Sequence, residues 1–289
     1  MDKNLVEENR PRYRERRWQF AAILAFFLVL SWISLAAEDA DKGPVVIYGD
    51  SRHGHALHEK LVGAFMTMRP AAVFNTGDLV TRSSSVSQWR RYNEIVLRIR
   101  SESEFYPVRG NHDGSLKTFL ENAGVPGGLS WYSVDTNGIH FIVLDSGSKI
   151  GEGSEQRLWL LSDLENVPKG TKFIVPVFHH PIFTSEAGGH KTDEKGWRAI
   201  LLPIFEEHGV KVVFAGHIHA YERLKYNDIY FVTTGGGGAP LYAQRKASDY
   251  SEKYLLKHHF CTITVSGDLL KVDVLDIDLL PIDGFEIQY

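Results

Sequence analysis

Five short strings in this chain carry side chains that bind divalent metals. They are Gly49-Asp50, Gly77-Asp78, Gly110-Asn111-His112-Asp113, His179-His180-Pro181, and Gly216-His217 closed by His219. Each follows an apolar run that reads as a strand, such as Val45-Val46-Ile47-Tyr48 before Asp50 or Val212-Val213-Phe214 before Gly216. Carboxylate, carboxamide and imidazole donors together suit Zn, Fe, Mn or Ni and do not choose among them. Two such ions about 3.5–4 Å apart can clamp the attacking and leaving oxygens of an in-line displacement at phosphorus. A lone Gly-Asp after a strand is usually a turn. Five strings in this order, from Asp50 to His219, point instead to a dinuclear centre.

The elements that must hold these strings alternate. Val45–Tyr48 is a continuous buried strand, and His55–Met68 carries Leu57, Leu61, Val62, Phe65 and Met66 at helical spacing. Ala72-Val73-Phe74 is the next strand, followed by an amphipathic helix over Ser87–Arg100 with Trp89, Tyr92, Ile95, Val96 and Ile99 on one face. Phe105–Val108 leads into Gly110. Asn137-Gly138 sits between two alternating runs, the signature of a β-hairpin. Glu155–Leu164 and Trp197–His208 read as helices, the second capped by Gly209; Phe173–Phe178 and Val210–Phe214 read as strands. After residue 228 only strands remain: Ile229–Val232, Phe260–Val265 and Leu270–Val274, the last two joined by a turn at Ser266-Gly267-Asp268. Alternation first and strands last gives α/β with an antiparallel extension, in one domain over 44–289.

The 289 residues carry a net charge of −4. Residues 1–37 hold six basic and four acidic side chains, so the rest is more acidic than the total shows. An acidic body excludes an evident nucleic-acid surface, which would need Lys and Arg against phosphate. The single cysteine, Cys261, excludes an internal disulfide and any CxxC site, and reads as a buried small hydrophobe. Arg10, Arg12, Arg14, Arg16 and Arg17 form a basic tail (1–17) before an uncharged apolar run over 18–37, long enough for about 30 Å of bilayer. Glu38, Asp39 and Asp41 follow in a linker over 38–43. This charge order places the body outside the cytoplasm. The run reads as a transmembrane anchor or, because Leu35-Ala36-Ala37 resembles a cleavage site, as a signal peptide whose removal would leave a secreted protein.

GDSR at 49–52, GDLV at 77–80, GNHD at 110–113, HHP at 179–181, GHIHAYER at 216–223 and TGGGGAPLY at 234–242 together resemble the calcineurin-like metallophosphoesterases, in their purple-acid-phosphatase-like branch, over roughly residues 44–280. The resemblance implies a four-layer α/β/β/α sandwich, here preceded by the N-terminal helix. It also implies that Asp50 binds the first metal and Asp78 bridges both. Asn111, His179 and His217 would bind the second metal, with His219 returning to the first. His112 would face substrate, holding phosphate or protonating the leaving oxygen. Arg52 and His190 are candidate substrate contacts, and His180 a packing partner of the ligands. Gly235–Gly238 would turn tightly beside the metals or cradle phosphate, and Tyr221-Glu222-Arg223 would order its loop by ion pairing.

The chain also departs from that family. Members often complete the first metal with a histidine two residues after the first aspartate or a tyrosine three residues after the second; here Arg52 and Thr81 stand there, with His53 one residue out of register. The site should therefore lack the purple colour of a tyrosinate–iron bond. The expected activity is hydrolysis of a phosphoester (a small molecule, lipid or nucleotide) outside the cytoplasm by attack of metal-bound hydroxide, with two divalent or trivalent ions as cofactors. The alternative is a non-catalytic scaffold or binding module of the same fold at the membrane.

Overall fold

The computed structural model describes residues 43–289, which form one unit. The basic tail, the apolar run 18–37 and most of the linker lie outside the described residues. Among the described residues, no helix is long and apolar enough to cross a membrane.

Two large sheets make the frame. In the first, β1 (Val45–Tyr48), β2 (Ala72–Asn75) and β3 (Glu104–Pro107) run parallel. β1 also pairs antiparallel with β13 (His259–Ser266), which continues into β14 (Leu269–Asp276) and β15 (Pro281–Gln288). In the second sheet β4 (Tyr132–Thr136), β5 (Ile139–Val143), β6 (Phe173–Phe178), β8 (Val212–Ala215), β10 (Ile229–Thr234), β9 (Tyr221–Tyr226) and β12 (Ser251–Leu255) lie side by side in that order. A small ribbon joins β7 (Glu186–Ala187) to β11 (Gln244–Lys246).

Strand alternation sorts the layers. Val45 and Ile47 of β1 point into a core shared with Phe141, Val175, Val212 and Phe214 of the second sheet. Their neighbours Val46 and Tyr48 face outward onto Leu61 and Phe65 of α1 (His55–Met66) and Trp89 and Tyr92 of α2 (Val86–Glu102). On the far side Ile142, Phe178 and Val213 pack against Leu160 of α4 (Glu155–Glu165) and Leu201 and Phe205 of α5 (Arg198–Glu207). Helices thus cover both outer faces of two stacked sheets, the expected layering. Cys261 lies buried in the inter-sheet core.

Local signals set the boundaries. Asn137 and Gly138 both take positive φ (52° and 73°), as a two-residue hairpin turn between β4 and β5 requires. Gly209, at φ 67°, ends α5, and the Val210 N–H closes back on the Phe205 carbonyl at 2.9 Å. The sequence reading did not include α3 (Leu116–Ala123), capped by Ser115 and ended by Gly124 at φ 70°. Two turns offer too few apolar positions to reveal a period. Strands β9, β12 and β15 were also not anticipated, because Glu222, Arg223, Lys253, Asp283 and Glu286 interrupt their apolar alternation.

Phe141 is fully buried where the sheets meet, its ring 4.4 Å from that of Phe74. Phe141→Ala should lower the unfolding free energy by about 3–5 kcal/mol. Urea titration followed by far-UV circular dichroism would read this as a lower midpoint with an unchanged slope; an unmoved midpoint would contradict the assigned core.

Candidate metal centre

Every string of the sequence reading lies just beyond a strand's carboxyl end: Asp50 after β1, Asp78 after β2, Asn111 after β3, His179 after β6, His217 and His219 after β8. The chain must turn sharply there, and Asp50, Asp78 and His217 take left-handed backbone conformations (φ 61°, 56° and 70°). Such values cost non-glycine residues energy and concentrate at functional sites. The adjacent glycines let the loops touch: a Cβ on Gly110 would lie 2.2 Å from the Asp78 nitrogen, and one on Gly216 2.6 Å from an Asp50 carboxylate oxygen.

Four donor atoms converge on the second-metal place. His179 Nε2 lies 3.0 Å from Asn111 Oδ1, 3.4 Å from Asp78 Oδ1 and 3.3 Å from His217 Nδ1. His179 Nδ1 donates to the Thr76 carbonyl at 2.9 Å, which leaves Nε2 as a bare lone pair aimed at the others. Burial pulls His179 and His217 down to about 3, so both imidazoles stay neutral, the form that ligates metals. Lone pairs and a carboxylate oxygen facing one another at these distances repel unless a cation sits among them, and this donor set suits a transition metal.

The first-metal place is arranged differently. Asp50 accepts the His217 amide at 2.9 Å through Oδ2, while its buried Oδ1 has no hydrogen-bond donor and lies 3.5 Å from His219 Nε2. Burial, reinforced by the charge of Asp78, pushes the Asp50 carboxyl well above the usual carboxylate range. The guanidinium of Arg52 projects into this half: Nη2 donates to His219 Nε2 at 2.7 Å and Nη1 to His112 Nε2 at 2.6 Å. Tyr242 stacks on the His219 ring at 4.0 Å and accepts from Arg52 Nη2 at 3.1 Å.

The remaining candidates also gather here, with one exception. His190 lies with its Nδ1 3.1 Å from His217 Nε2, and the His180 ring packs 4.4 Å from that of His217. His180 follows the end of β6 at Phe178, and its Nδ1 bonds the Ser146 hydroxyl at 2.7 Å. His53 stays exposed and bonds Thr81 Oγ1 at 3.0 Å. In the glycine run, the Gly235 and Gly237 amides are spent on the Ala220 and Gly49 carbonyls, which fits a close turn rather than a phosphate cradle. Glu222 is buried and orders its loop through hydroxyls and an amide instead of a cation: Thr184, Ser185 and Ser251 all donate to it. Ion pairing in that string belongs to Arg223, with Asp283 and Glu252.

Two residues were given no role by the sequence reading. Asp113 accepts four backbone amides, from Asp78, Leu79, Val80 and Gly110, and so ties the second and third strings together. Glu194 Oε2 lies 3.1 Å from His217 Nε2. That carboxylate holds the ring proton on Nε2 and leaves Nδ1 free to face the cluster, the arrangement that orients metal-binding histidines. Its signal was an acidic residue four places after His190 in the glycine-containing loop.

Comparison with known proteins identifies the family. The calcineurin-like phosphoesterase family model matches residues 43–221. Purple acid phosphatase 18 of Arabidopsis thaliana is 30% identical over 165 residues, 52% of this chain and 37% of that protein. Purple acid phosphatase 23 of the same plant is 27% identical over 225 residues, 68% of this chain and 47% of that protein. The chain thus spans less than half the length of these two relatives. Among solved structures, a purple acid phosphatase from yellow lupin (Lupinus luteus) seeds superposes with a TM-score of 0.74 at 21% identity, covering 85% of this chain and 53% of that one. GAP50, the anchor in the inner membrane complex of Plasmodium, gives 0.69 at 18% identity over 85% and 88%. At these identities the two structures speak for the fold alone.

If Glu194 orients His217, Glu194→Gln should weaken metal binding about 10–100-fold. Competition against a chelating dye would measure it, and unchanged affinity would remove Glu194 from this role.

Proposed function

The chain belongs to the calcineurin-like phosphoesterases, and on that premise we propose that it is a metal-dependent phosphoester hydrolase whose metal is held by Asp78, Asn111, His179 and His217. The observation that carries this reading is the convergence of the other three donors on His179 Nε2, all within 3.4 Å of it. A bound metal supplies Lewis acidity at a phosphoryl oxygen and an activated water.

The chain's own residues do the rest. Arg52 offers a fixed positive charge and N–H donors to the phosphoryl oxygens, where negative charge grows in the transition state. His112 keeps its Nδ1 on the Thr81 carbonyl (2.9 Å), so any proton it delivers must leave from Nε2, the atom now facing Arg52. A phosphate bound here would accept from the guanidinium and leave His112 Nε2 facing the leaving oxygen, where an imidazole can act as general acid. His190, next to His217, is positioned to hold the substrate's far side. The two-metal reading further assigns Asp50, Asp78 and His219 to a first ion; those donors share their space with Arg52.

The same proposal places the reaction outside the cytoplasm, supported by the arginine tail before the apolar run 18–37. Protease added to intact spheroplasts should digest the body; protection until lysis would overturn that orientation. A second reading, a non-catalytic scaffold, is favoured by Arg52 and Thr81 standing where further ligands would be expected.

The deciding assay is a panel of phosphomonoesters, diesters and pyrophosphates with the full chain and added Mn, Zn, Ni or Fe. His112→Ala should retain its metal and lose turnover by about 10²–10⁴, with a smaller loss for nitrophenyl esters, whose leaving oxygen needs little protonation. An equal loss across leaving groups would assign His112 to phosphate binding. A metal-loaded wild type inert toward the whole panel would favour the scaffold.

A further inference from the structure

Building on the hydrolase reading, we propose that this chain holds a single metal ion and that the guanidinium of Arg52 occupies the place of the other. Of the donors that would make a first-metal site, the imidazole of His219 is already engaged on both ring nitrogens. His219 Nδ1 donates to the Pro240 carbonyl at 2.7 Å, so the ring has one lone pair left, on Nε2. That lone pair accepts Arg52 Nη2 at 2.7 Å. A nitrogen accepting that hydrogen bond cannot also ligate an ion at about 2.0–2.1 Å.

Arg52 is not a surface residue that happens to lean inward. It is 9% exposed, and its backbone amide donates to the Asp78 carbonyl at 3.1 Å. Its side chain bonds His112, His219 and Tyr242, and its Nε lies 3.7 Å from Asp78 Oδ2. His112 and His219 each spend Nδ1 on a backbone carbonyl, so both present Nε2 as an acceptor to the same guanidinium. A fork with fixed N–H directions suits two such acceptors better than a lysine ammonium would.

Charge supports the same assignment. Asp50 and Asp78 are both buried, and a buried carboxylate pair needs a compensating cation. One dication beside His179 and one guanidinium beside His219 supply it. Adding a second dication against a buried guanidinium would set like charges side by side in a poorly screened pocket. A metal displacing Arg52 would take His219 Nε2 together with the unpartnered Asp50 Oδ1 3.5 Å from it, so the two cations compete for the same imidazole. Arginine does not ionise water as a metal does. In this arrangement it neutralises phosphoryl oxygens while nucleophile activation falls to the His179 side alone.

The test is metal content, measured by mass spectrometry on the full chain loaded with excess Mn(II) and desalted, with electron paramagnetic resonance of the same sample. The wild type should carry about one ion, giving the six-line signal of an isolated centre, against the pair expected of a two-metal site. Arg52→His removes the guanidinium and adds a ligand, and should raise the content toward two with a spin-coupled signal; Arg52→Lys, which keeps the charge, should stay near one. Two coupled ions in the wild type would overturn the inference and leave the hydrolase reading standing. One ion without turnover on any phosphoester would overturn the hydrolase reading and leave the inference. No ion under excess Mn(II) would end both.

Discussion

Three buried carboxylates, Asp50, Asp78 and Asp113, lie in one loop cluster between the sheets' carboxyl ends, and the rest of the site is organised around compensating them. An ionised carboxylate removed from water is costly unless hydrogen bonds or cations replace the lost hydration. Asp113 is satisfied by backbone alone, through four amides. Asp78 accepts the His112 amide at 2.9 Å and faces Arg52, and Asp50 accepts the His217 amide. These bonds connect loops that are far apart in sequence. The same charges that attract a cation therefore also draw the ligand-bearing loops into register. What backbone amides leave uncompensated on Asp50 and Asp78 is a demand for positive charge, part of it met by the guanidinium of Arg52.

The sheets make this clustering possible. Parallel strands deliver all their following loops to one edge, so Asp50, Asp78 and Asn111 arrive together from the first sheet and His179, His217 and His219 from the second. The inter-sheet core, with Phe74 against Phe141, fixes the distance between the two sets. Side chains from a single sheet could not surround an ion; two facing sheet edges can. A further layer comes from the second sheet's far strands. Glu222 on β9 anchors Thr184 and Ser185, where the loop carrying His190 and Glu194 begins, and β12 adds Ser251 to the same carboxylate. The orientation of His217 thus depends on a buried acid that contacts no ligand.

Much of this was legible before any coordinates. β-branched runs such as Val45–Tyr48 declare buried strands, and the periodic faces of α1 and α2 declare helices, because burial on both sides or on one stripe leaves a compositional mark. The ligand candidates are legible because a strand end followed by glycine and a metal donor recurs four times, and a fifth strand runs straight into His179. What stayed hidden depends on pairing rather than pattern. Nothing in the string around Glu194 says that it meets His217, and Asp113 could as well have been a ligand as a receiver of amides. Edge strands such as β15, opened by Pro281 and broken by Asp283 and Gly284, expose one side and lose the alternation that would identify them.

Arg52 shows how a motif and its chemistry can part. The string Gly49-Asp50-Ser51-Arg52 keeps the aspartate and the turn, yet the residue two places on brings a guanidinium against Asp78 and His219. A metal and a guanidinium both offset buried acids and both stabilise a phosphoryl group, so the loops around them can stay the same. They differ in reach and in chemistry. A guanidinium spreads its charge over a planar fork and is tethered to the chain, whereas an ion concentrates charge and exchanges with solvent. A side chain that reaches into such a site offsets the buried acids without drawing on any metal supply. Around that guanidinium, Tyr242 stacks on the His219 ring and accepts from Arg52 Nη2, so the ring and the fork are held against one another by the same hydroxyl-bearing side chain.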